Sequence, residues 1–306
     1  MFERDLYSKK IEKDYMYQHV LRVAIFSCLI WFQSANSQED QRDSSFIKFL
    51  PGQEQWSGEL QTAIVSYQNN FGVTVNLVSA VHLADIEYYA TLNDYFLSQD
   101  VVLYELVANA DERPTSDSEI ADMSAISYMQ RALGNFLNIS FQLEQIDYSS
   151  KNFVHADLNP EQLSKIMIEK DQNFFSMFLS LAVSQQVAEQ AAIEAGAQRS
   201  SLNMISILKA LIMEDRAVSF KYLFAQELGR PDGLVFAPEI ESELTILGDR
   251  NLAAVNALGR VLEDSTAKFI TIFYGAAHMP GIERALTSRF DFEQSEKRWI
   301  TAWEIP

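Results

Sequence analysis

The spacing of apolar and polar residues predicts two similar units near opposite ends of the chain. In each unit a β-rich apolar run ends in small residues and is followed by a histidine, His82 in one and His278 in the other. This pattern is typical of a buried strand that carries an imidazole at its C-terminal end. A helical pattern and a second apolar run with a glutamate follow, Glu105 in the first unit and Glu304 in the second. Each unit is therefore predicted to be strand–His–helix–strand.

Local signals define the first unit further. The segments 62–67 and 73–79 flank a turn that contains Gly72, which predicts a hairpin. Apolar residues in 86–96 follow helical spacing, and 101–106 has the composition of a buried strand. Together these segments predict one βαβ unit.

The second unit is predicted from strands at 268–274 and 298–305, joined by a helix with Pro280 in its first turn. Between the units, residues from about 111 to 264 show mostly helical spacing, and only 151–157 has strand character. The sequence therefore predicts an α/β fold. We expect a two-repeat mixed sheet with a large helical cap between the repeats.

The N-terminal segment is predicted to lie outside this fold. An uncharged apolar run at 23–32 is followed by a small polar stretch. The run is too short to span a bilayer of about 30 Å, but it suits the apolar region of a secretory signal peptide. We expect 1–37 to be a cleaved leader. If translation starts at Met16, the leader has the usual order of a short basic segment, an apolar segment and small residues at the cleavage site. Export to the periplasm or the cell exterior would follow, and an uncut membrane anchor is the alternative.

Length and composition restrict the rest of the chain. Residues 38–58 are polar and predict an extended lead-in, and 59–306 can form one α/β domain of about 250 residues. The 306-residue chain has 42 acidic and 24 basic residues, and its formal net charge is -18. Such a surface repels phosphate backbones, so we expect no nucleic-acid partner. The single cysteine, Cys28, lies in the predicted leader. Any metal site would therefore use oxygen and nitrogen ligands.

Two histidines at equivalent strand ends are the main chemical signal. In open α/β sheets, ligands bind at the carboxyl ends of the strands, so His82 and His278 would converge if the two units are adjacent. Glu105 adds to this signal, because a carboxylate in an otherwise apolar strand costs on the order of several kcal/mol unless it is paired or coordinated. A salt bridge to Arg250 and a place in a metal site are both open for Glu105, and the two roles are compatible.

Other polar residues give weaker signals. His155 has no repeat partner and is expected to be structural, whereas Asp157 could orient a histidine or cap backbone groups. Arg250 and Asn251 begin a predicted helix, where the arginine could reach a carboxylate or a substrate oxyanion, or lie on the surface. Glu304 is near the C-terminus and is expected on the surface.

Short motifs in both units resemble a known family. The segments 79–82 and 275–278 resemble the paired Gly-x-x-His motifs of the TraB/GumN family, which is related to the Tiki metalloproteases. The second motif is intact, and Ser79 replaces the glycine of the first. Asp249-Arg250-Asn251 resembles the acidic-Arg-Asn/Asp signature that precedes the second motif. The similarity covers most of residues 60–306.

The resemblance implies a two-repeat α/β domain with a helical cap and, for the Tiki branch, divalent-metal-dependent peptide hydrolysis. It implies His82, His278 and Glu105 as metal ligands, and Glu105 and Arg250 as catalytic residues. A site of nitrogen and oxygen ligands suits Mn, Co, Zn or Fe, and such an ion polarises a carbonyl and lowers the pKa of a bound water.

Three classes of function are open at this stage. The leading one is an exported metal-dependent hydrolase, with a peptidase as the main expectation and a small-molecule substrate as the other. The second is a metal-independent hydrolase similar to the erythromycin esterases, in which His and Glu serve as general base and electrostatic partner. The third is a non-catalytic protein that binds haem, metal or a peptide. A membrane contact is expected only through an uncleaved leader, and the oligomeric state is not predicted.

Overall fold

The computed structural model describes residues 46–109, 133–173, 176–177, 190, 193–194, 204–230, 238–263 and 266–306. The predicted leader at 1–37, with Cys28, lies outside the described residues. So do much of the predicted helical cap and the first part of the lead-in. None of the helices in the described ranges is both long and apolar enough to cross a membrane.

Nine strands and eight α-helices have defined bounds among the described residues. The strands are β1 (Ile47–Pro51), β2 (Gly58–Gln68), β3 (Thr74–Ala80), β4 (Leu83–Ala84), β5 (Val101–Tyr104), β6 (Ser140–Phe141), β7 (Phe153–His155), β8 (Phe269–Gly275) and β9 (Glu293–Ile305). The helices are α1 (Ile86–Phe96), α2 (Gln142–Gln145), α3 (Pro160–Glu169), α4 (Met204–Ile212), α5 (Arg216–Leu228), α6 (Pro238–Glu243), α7 (Arg250–Glu263) and α8 (Met279–Phe290). A π-helical turn, Thr245–Asp249, precedes α7, and a 3-10 turn, Ala276–His278, precedes α8.

Seven strands form one mixed sheet, in the order β1-β2-β3-β8-β5-β7, with β9 paired to β2. The strands β3, β8, β5 and β7 are parallel neighbours, whereas β1, β3 and β9 are antiparallel to β2. The predicted hairpin is confirmed as β2 and β3. Gly72 lies in its turn with φ 72°, a left-handed conformation that favours glycine.

Helices cover both faces of the sheet. Successive residues of each strand point to opposite sides, so an apolar strand presents side chains for packing on both faces. The core between the sheet and α1 and α5 includes Val78, Phe273, Tyr88, Leu92 and Leu223. The core between the sheet and α7 and α8 includes Leu77, Ile272, Leu258, Ile282 and Leu286. The predicted α/β class with a mixed sheet is therefore confirmed.

The region between the two predicted units is not only helical. Its strand β7 pairs in parallel with β5 and extends the main sheet, so the strand character predicted at 151–157 is confirmed. The predicted strand at 101–106 is too long, because β5 ends at Tyr104 and Glu105 follows it. Glu105 therefore lies at the carboxyl edge of the sheet, where its carboxylate can reach neighbouring loops.

The two units also differ from one another. The strands β3 and β5 of the first unit are not neighbours, because β8 of the second unit lies between them. His82 is followed by the short strand β4 before α1 begins, whereas His278 ends a 3-10 turn that leads directly into α8. In the second unit β9 pairs with β2, and Glu304 is exposed on it, as predicted.

Candidate active site

Four parallel strands end at the same edge of the sheet, and a polar residue follows or closely follows each of them. His82 comes after β3, Glu105 after β5, Asp157 after β7 and His278 after β8. The carboxyl edge of an open α/β sheet is where ligands bind. The sequence predicted three of these four residues as site residues, and the structure adds Asp157.

Glu105 is buried and is held by several groups. Its Oε1 accepts a hydrogen bond from Nη2 of Arg250 at 2.8 Å and lies 3.5 Å from Nε2 of His278. Its Oε2 accepts the backbone N–H of Gly275 at 2.6 Å. Burial tends to raise the pKa of this carboxyl, but Arg250, His278 and then His82 outweigh burial and hold the pKa well below its usual value. Glu105 is therefore ionised at neutral pH.

Arg250, the first residue of α7, joins Glu105 to Asp157. Its Nε donates to Oδ1 of Asp157 at 3.0 Å, and its Nη2 donates to Oδ2 of Asp157 at 2.5 Å. Burial tends to lower the pKa of Arg250, but Glu105 and Asp157 raise it above its usual value. The two carboxylates offset the cost of burying the guanidinium. The salt bridge considered for Glu105 is therefore present, and a plain surface position for Arg250 is wrong.

His278 is almost fully buried, with 2% of its surface exposed, and its orientation is fixed by Asn251. Its Nδ1 lies 2.7 Å from Oδ1 of Asn251, whose Nδ2 donates to Oε1 of Glu241 at 2.7 Å. Because a carboxamide oxygen only accepts, Nδ1 of His278 carries the proton. Nε2 is then the ring nitrogen that faces Glu105.

His82 completes the group and is partly exposed to solvent. A side-chain carbon added to Gly275 would lie 3.3 Å from Oε2 of Glu105, 3.8 Å from Cδ2 of His278 and 3.9 Å from Nε2 of His82. The three predicted metal-ligand side chains therefore border one space. A side chain larger than glycine at this position would contact all three of them.

These side chains do not form a closed set of ligands. Among the residues that the structure describes, no group of three or more His, Cys, Asp or Glu side chains is arranged to hold a metal ion. The contacts of Glu105 give a physical reason, because Arg250 and Gly275 already donate to its two oxygens. Each carboxylate oxygen keeps a second lone pair, so Glu105 could still bind an ion, but Arg250 and Gly275 restrict its orientation.

The residues with weaker sequence signals have separate roles. Nε2 of His155 lies 2.6 Å from the backbone oxygen of Leu106, and its ring contacts the edge of Tyr104, which agrees with the structural role expected for it. Asp157 binds Arg250 and also accepts the backbone N–H of Leu158 at 2.7 Å. The backbone-capping role of Asp157 is therefore present, and its contact with Arg250 was not predicted.

A cavity of about 440 Å³ lies at the opposite, amino-terminal edge of β3 and β8. Its polar walls are bonded to one another: Ser66 Oγ donates to Asn76 Oδ1 at 2.7 Å, and Asn76 Nδ2 donates to Gln99 Oε1 at 3.0 Å. This cavity contains no histidine and lies away from the buried charges. We therefore place the candidate active site at the carboxyl edge.

Comparisons of the chain with models of protein families, with curated proteins and with solved structures found no match. Membership of the TraB/GumN family therefore stays a prediction that rests on the two histidine motifs and the Arg250 segment.

Proposed function

We propose that the chain is a divalent-metal-dependent hydrolase of the TraB/GumN type that acts on peptides. The observation that supports this best is the common border of His82, His278 and Glu105 around Gly275. The three side chains come from three different strand ends. The strands β3 and β5 belong to the first unit of the sequence, and β8 belongs to the second. Binding or chemistry at one point gives a reason for that convergence.

The donor atoms suit a metal ion in type. Two imidazole nitrogens and a carboxylate oxygen, without a thiolate, are suitable ligands for Mn, Co, Zn or Fe. His278 also has the hydrogen bond that metal-binding histidines usually make through their second nitrogen, here to Asn251. His82, His278 and Glu105 would hold the ion. When bound, such an ion polarises a substrate carbonyl and lowers the pKa of a bound water.

The other residues of the site act by position and charge. Arg250 holds Glu105 and Asp157 in place and compensates their charge, so we assign it as a positioning residue. Glu105 is ionised and cannot serve as a general acid at neutral pH. His82 is the partly exposed imidazole and therefore the one that a substrate or water entering from solvent meets first.

Metal content and peptide turnover of purified variants test this function. We expect about one ion per wild-type chain, and loss of both metal and turnover in His82→Ala and His278→Ala, because each variant removes a ligand. Glu105→Gln should also lose the ion. Glu304→Gln is the matched control, because Glu304 is the exposed glutamate of the second unit. Full metal content in both histidine variants would contradict the shared site.

One observation favours a second candidate, a metal-independent esterase-like hydrolase. Both oxygens of Glu105 already accept hydrogen bonds, from Arg250 and Gly275, so an ion would compete with these donors, and the imidazoles of His82 and His278 can act as bases without one. In that case ester substrates should be turned over equally well after complete chelation. His82→Ala should abolish that turnover, and metal analysis of the active protein should find no bound ion.

A further inference from the structure

A chain of polar contacts extends from His278 away from the candidate site. Asn251 connects His278 to Glu241 on α6, and Nη2 of Arg284 on α8 donates to Oε2 of Glu241. Asn251 and Glu241 are buried, with 5% and 7% of their surfaces exposed. Glu241 is therefore connected to His278 only indirectly, through the buried side chain of Asn251.

The direction of the Asn251 amide follows from what Glu241 can accept. A carboxamide has a donor end and an acceptor end, and either end can face an imidazole nitrogen. A carboxylate only accepts, so the NH2 group of Asn251 faces Glu241 and its oxygen faces His278. The oxygen in turn requires the proton of His278 to be on Nδ1. Glu241 thus selects the protonated nitrogen through one intervening side chain.

Gly281 is an independent sign that α8 is built around this contact. Gly281 lies in the first turn of α8, although glycine is unfavourable within a helix. A side-chain carbon at this position would overlap Oε1 of Glu241 and lie 2.5 Å from Nδ2 of Asn251. The missing side chain therefore makes room for the Glu241–Asn251 hydrogen bond.

We propose that Glu241 is a positioning residue that holds His278, through Asn251, in the tautomer with its proton on Nδ1. In the neutral ring Nε2 is then unprotonated; it faces the space beside Gly275 and makes no hydrogen bond to Oε1 of Glu105, 3.5 Å away. Without Glu241 the Asn251 amide can turn and donate to Nδ1, and the proton then moves to Nε2. The consequence for metal binding rests on the proposed function, but the choice of tautomer does not.

Nitrogen NMR of ¹⁵N-histidine-labelled, metal-free protein measures the tautomer directly, in the neutral state of the ring. We expect the Nδ1–H form in the wild type and mainly the Nε2–H form in Glu241→Ala. Glu241→Gln should restore the Nδ1–H form, because the one glutamine oxygen can accept from buried Asn251 while the partly exposed Arg284 turns to solvent. Glu243→Ala is the matched control, since Glu243 is exposed on the same helix. An unchanged Nδ1–H form in folded Glu241→Ala would overturn the proposal.

Gly281→Ala provides a second route that removes no polar group. The added carbon displaces the Glu241 carboxylate, so the same change to the Nε2–H form is expected. Persistence of the Nδ1–H form in this variant would also count against the proposal, which stays testable even if Glu241→Ala fails to fold.

Metal titration separates this inference from the proposed function. We expect about 10- to 100-fold weaker metal binding in Glu241→Ala, as is typical when the group behind a metal-binding histidine is lost. A tautomer change in a protein whose wild type binds no metal would support the role of Glu241 and contradict the metal-dependent function. Metal binding by the wild type with no tautomer change in either variant would support the metal-dependent function and contradict the role of Glu241.

Discussion

Glu105 is the residue at which the charged contacts of the site meet. It binds Arg250 and the N–H of Gly275, and it faces the nitrogen of His278. These groups favour the carboxylate over the carboxylic acid, so Glu105 can bind a cation. It is not suited to donate a proton near neutral pH, because a general acid needs a pKa close to the working pH.

The first prediction concerns the stability that Glu105 provides. Glu105→Gln leaves Arg250 with Asp157 as its remaining anion, and we expect a loss of about 3 kcal/mol in unfolding free energy at pH 7. Because the folded-state pKa of Glu105 is lowered, its contribution is complete above the unfolded-state value of roughly 4.3 and is lost as the pH falls towards the folded-state value. Urea unfolding at several pH values measures this. A difference between wild type and variant that stays constant from pH 7 to pH 3 would contradict the assignment.

At Ser79 we predict that a substitution raises the unfolding free energy. It stands where the first Gly-x-x-His motif would have glycine, and its buried hydroxyl has no hydrogen-bond partner among the described residues. Ser79→Ala removes an unpaired polar group, so we expect a gain of about 1 kcal/mol in unfolding free energy. Ser66→Ala is the comparison, because Ser66 donates to Asn76 at 2.7 Å and should lose about as much. Destabilisation by both changes would show that Ser79 has a partner in solution.

Among the elements, α5 is tied to the sheet through one buried lysine. Nζ of Lys221 binds Oδ1 of Asp85 at 2.6 Å and the backbone oxygen of Glu304 at 2.9 Å, while Oδ2 of Asp85 accepts the N–H of Glu304 at 2.6 Å. This group connects α5, the start of α1 and the end of β9.

We therefore predict that Lys221→Met, which keeps most of the apolar stem, lowers the unfolding free energy by about 2 kcal/mol. Hydrogen exchange should become faster in α5 and at the end of β9, because these elements lose their common partner. The site at Gly275 should be unaffected. Lys209→Met on the exposed side of α4 is the control. Equal exchange in the two variants would argue against the connection.

Elements with strong local signals could be predicted from the sequence. Gly72 supplies the turn of the β2–β3 hairpin, and Pro280 fits the first turn of α8, where its missing N–H costs no hydrogen bond. The strand β7 gave a weak signal because it is only three residues long, and its place beside β5 depends on pairing across a long insertion. The orientation of Asn251 was not predictable, because it depends on Glu241, which no local pattern connects to His278.

The site as a whole depends on the interleaving of the two units. Because β8 lies between β3 and β5, the second unit places Gly275 and His278 between the two strand ends of the first. The sequence predicted that the histidines converge if the units are adjacent. The observed strand order gives a closer arrangement, in which Glu105 bonds to the backbone of β8 and not to β3. Neither unit alone contains the whole group of charged side chains.

The last prediction concerns where the folded chain begins. The sheet starts at β1, which pairs along five residues with β2, and Phe46 and Ile47 before and within it are buried. A chain that starts at Gln38, after the predicted leader, should therefore fold with the same unfolding free energy as the full chain. A chain that starts at Gln53 lacks β1 and should lose about 3 kcal/mol of unfolding free energy. The reason is that the side chains of Phe46 and Ile47, which are buried in the full fold, are absent. Urea unfolding of both chains measures this difference. Equal stability would show that β1 is dispensable, and failure of the Gln38 chain to fold would place part of the predicted leader within the domain.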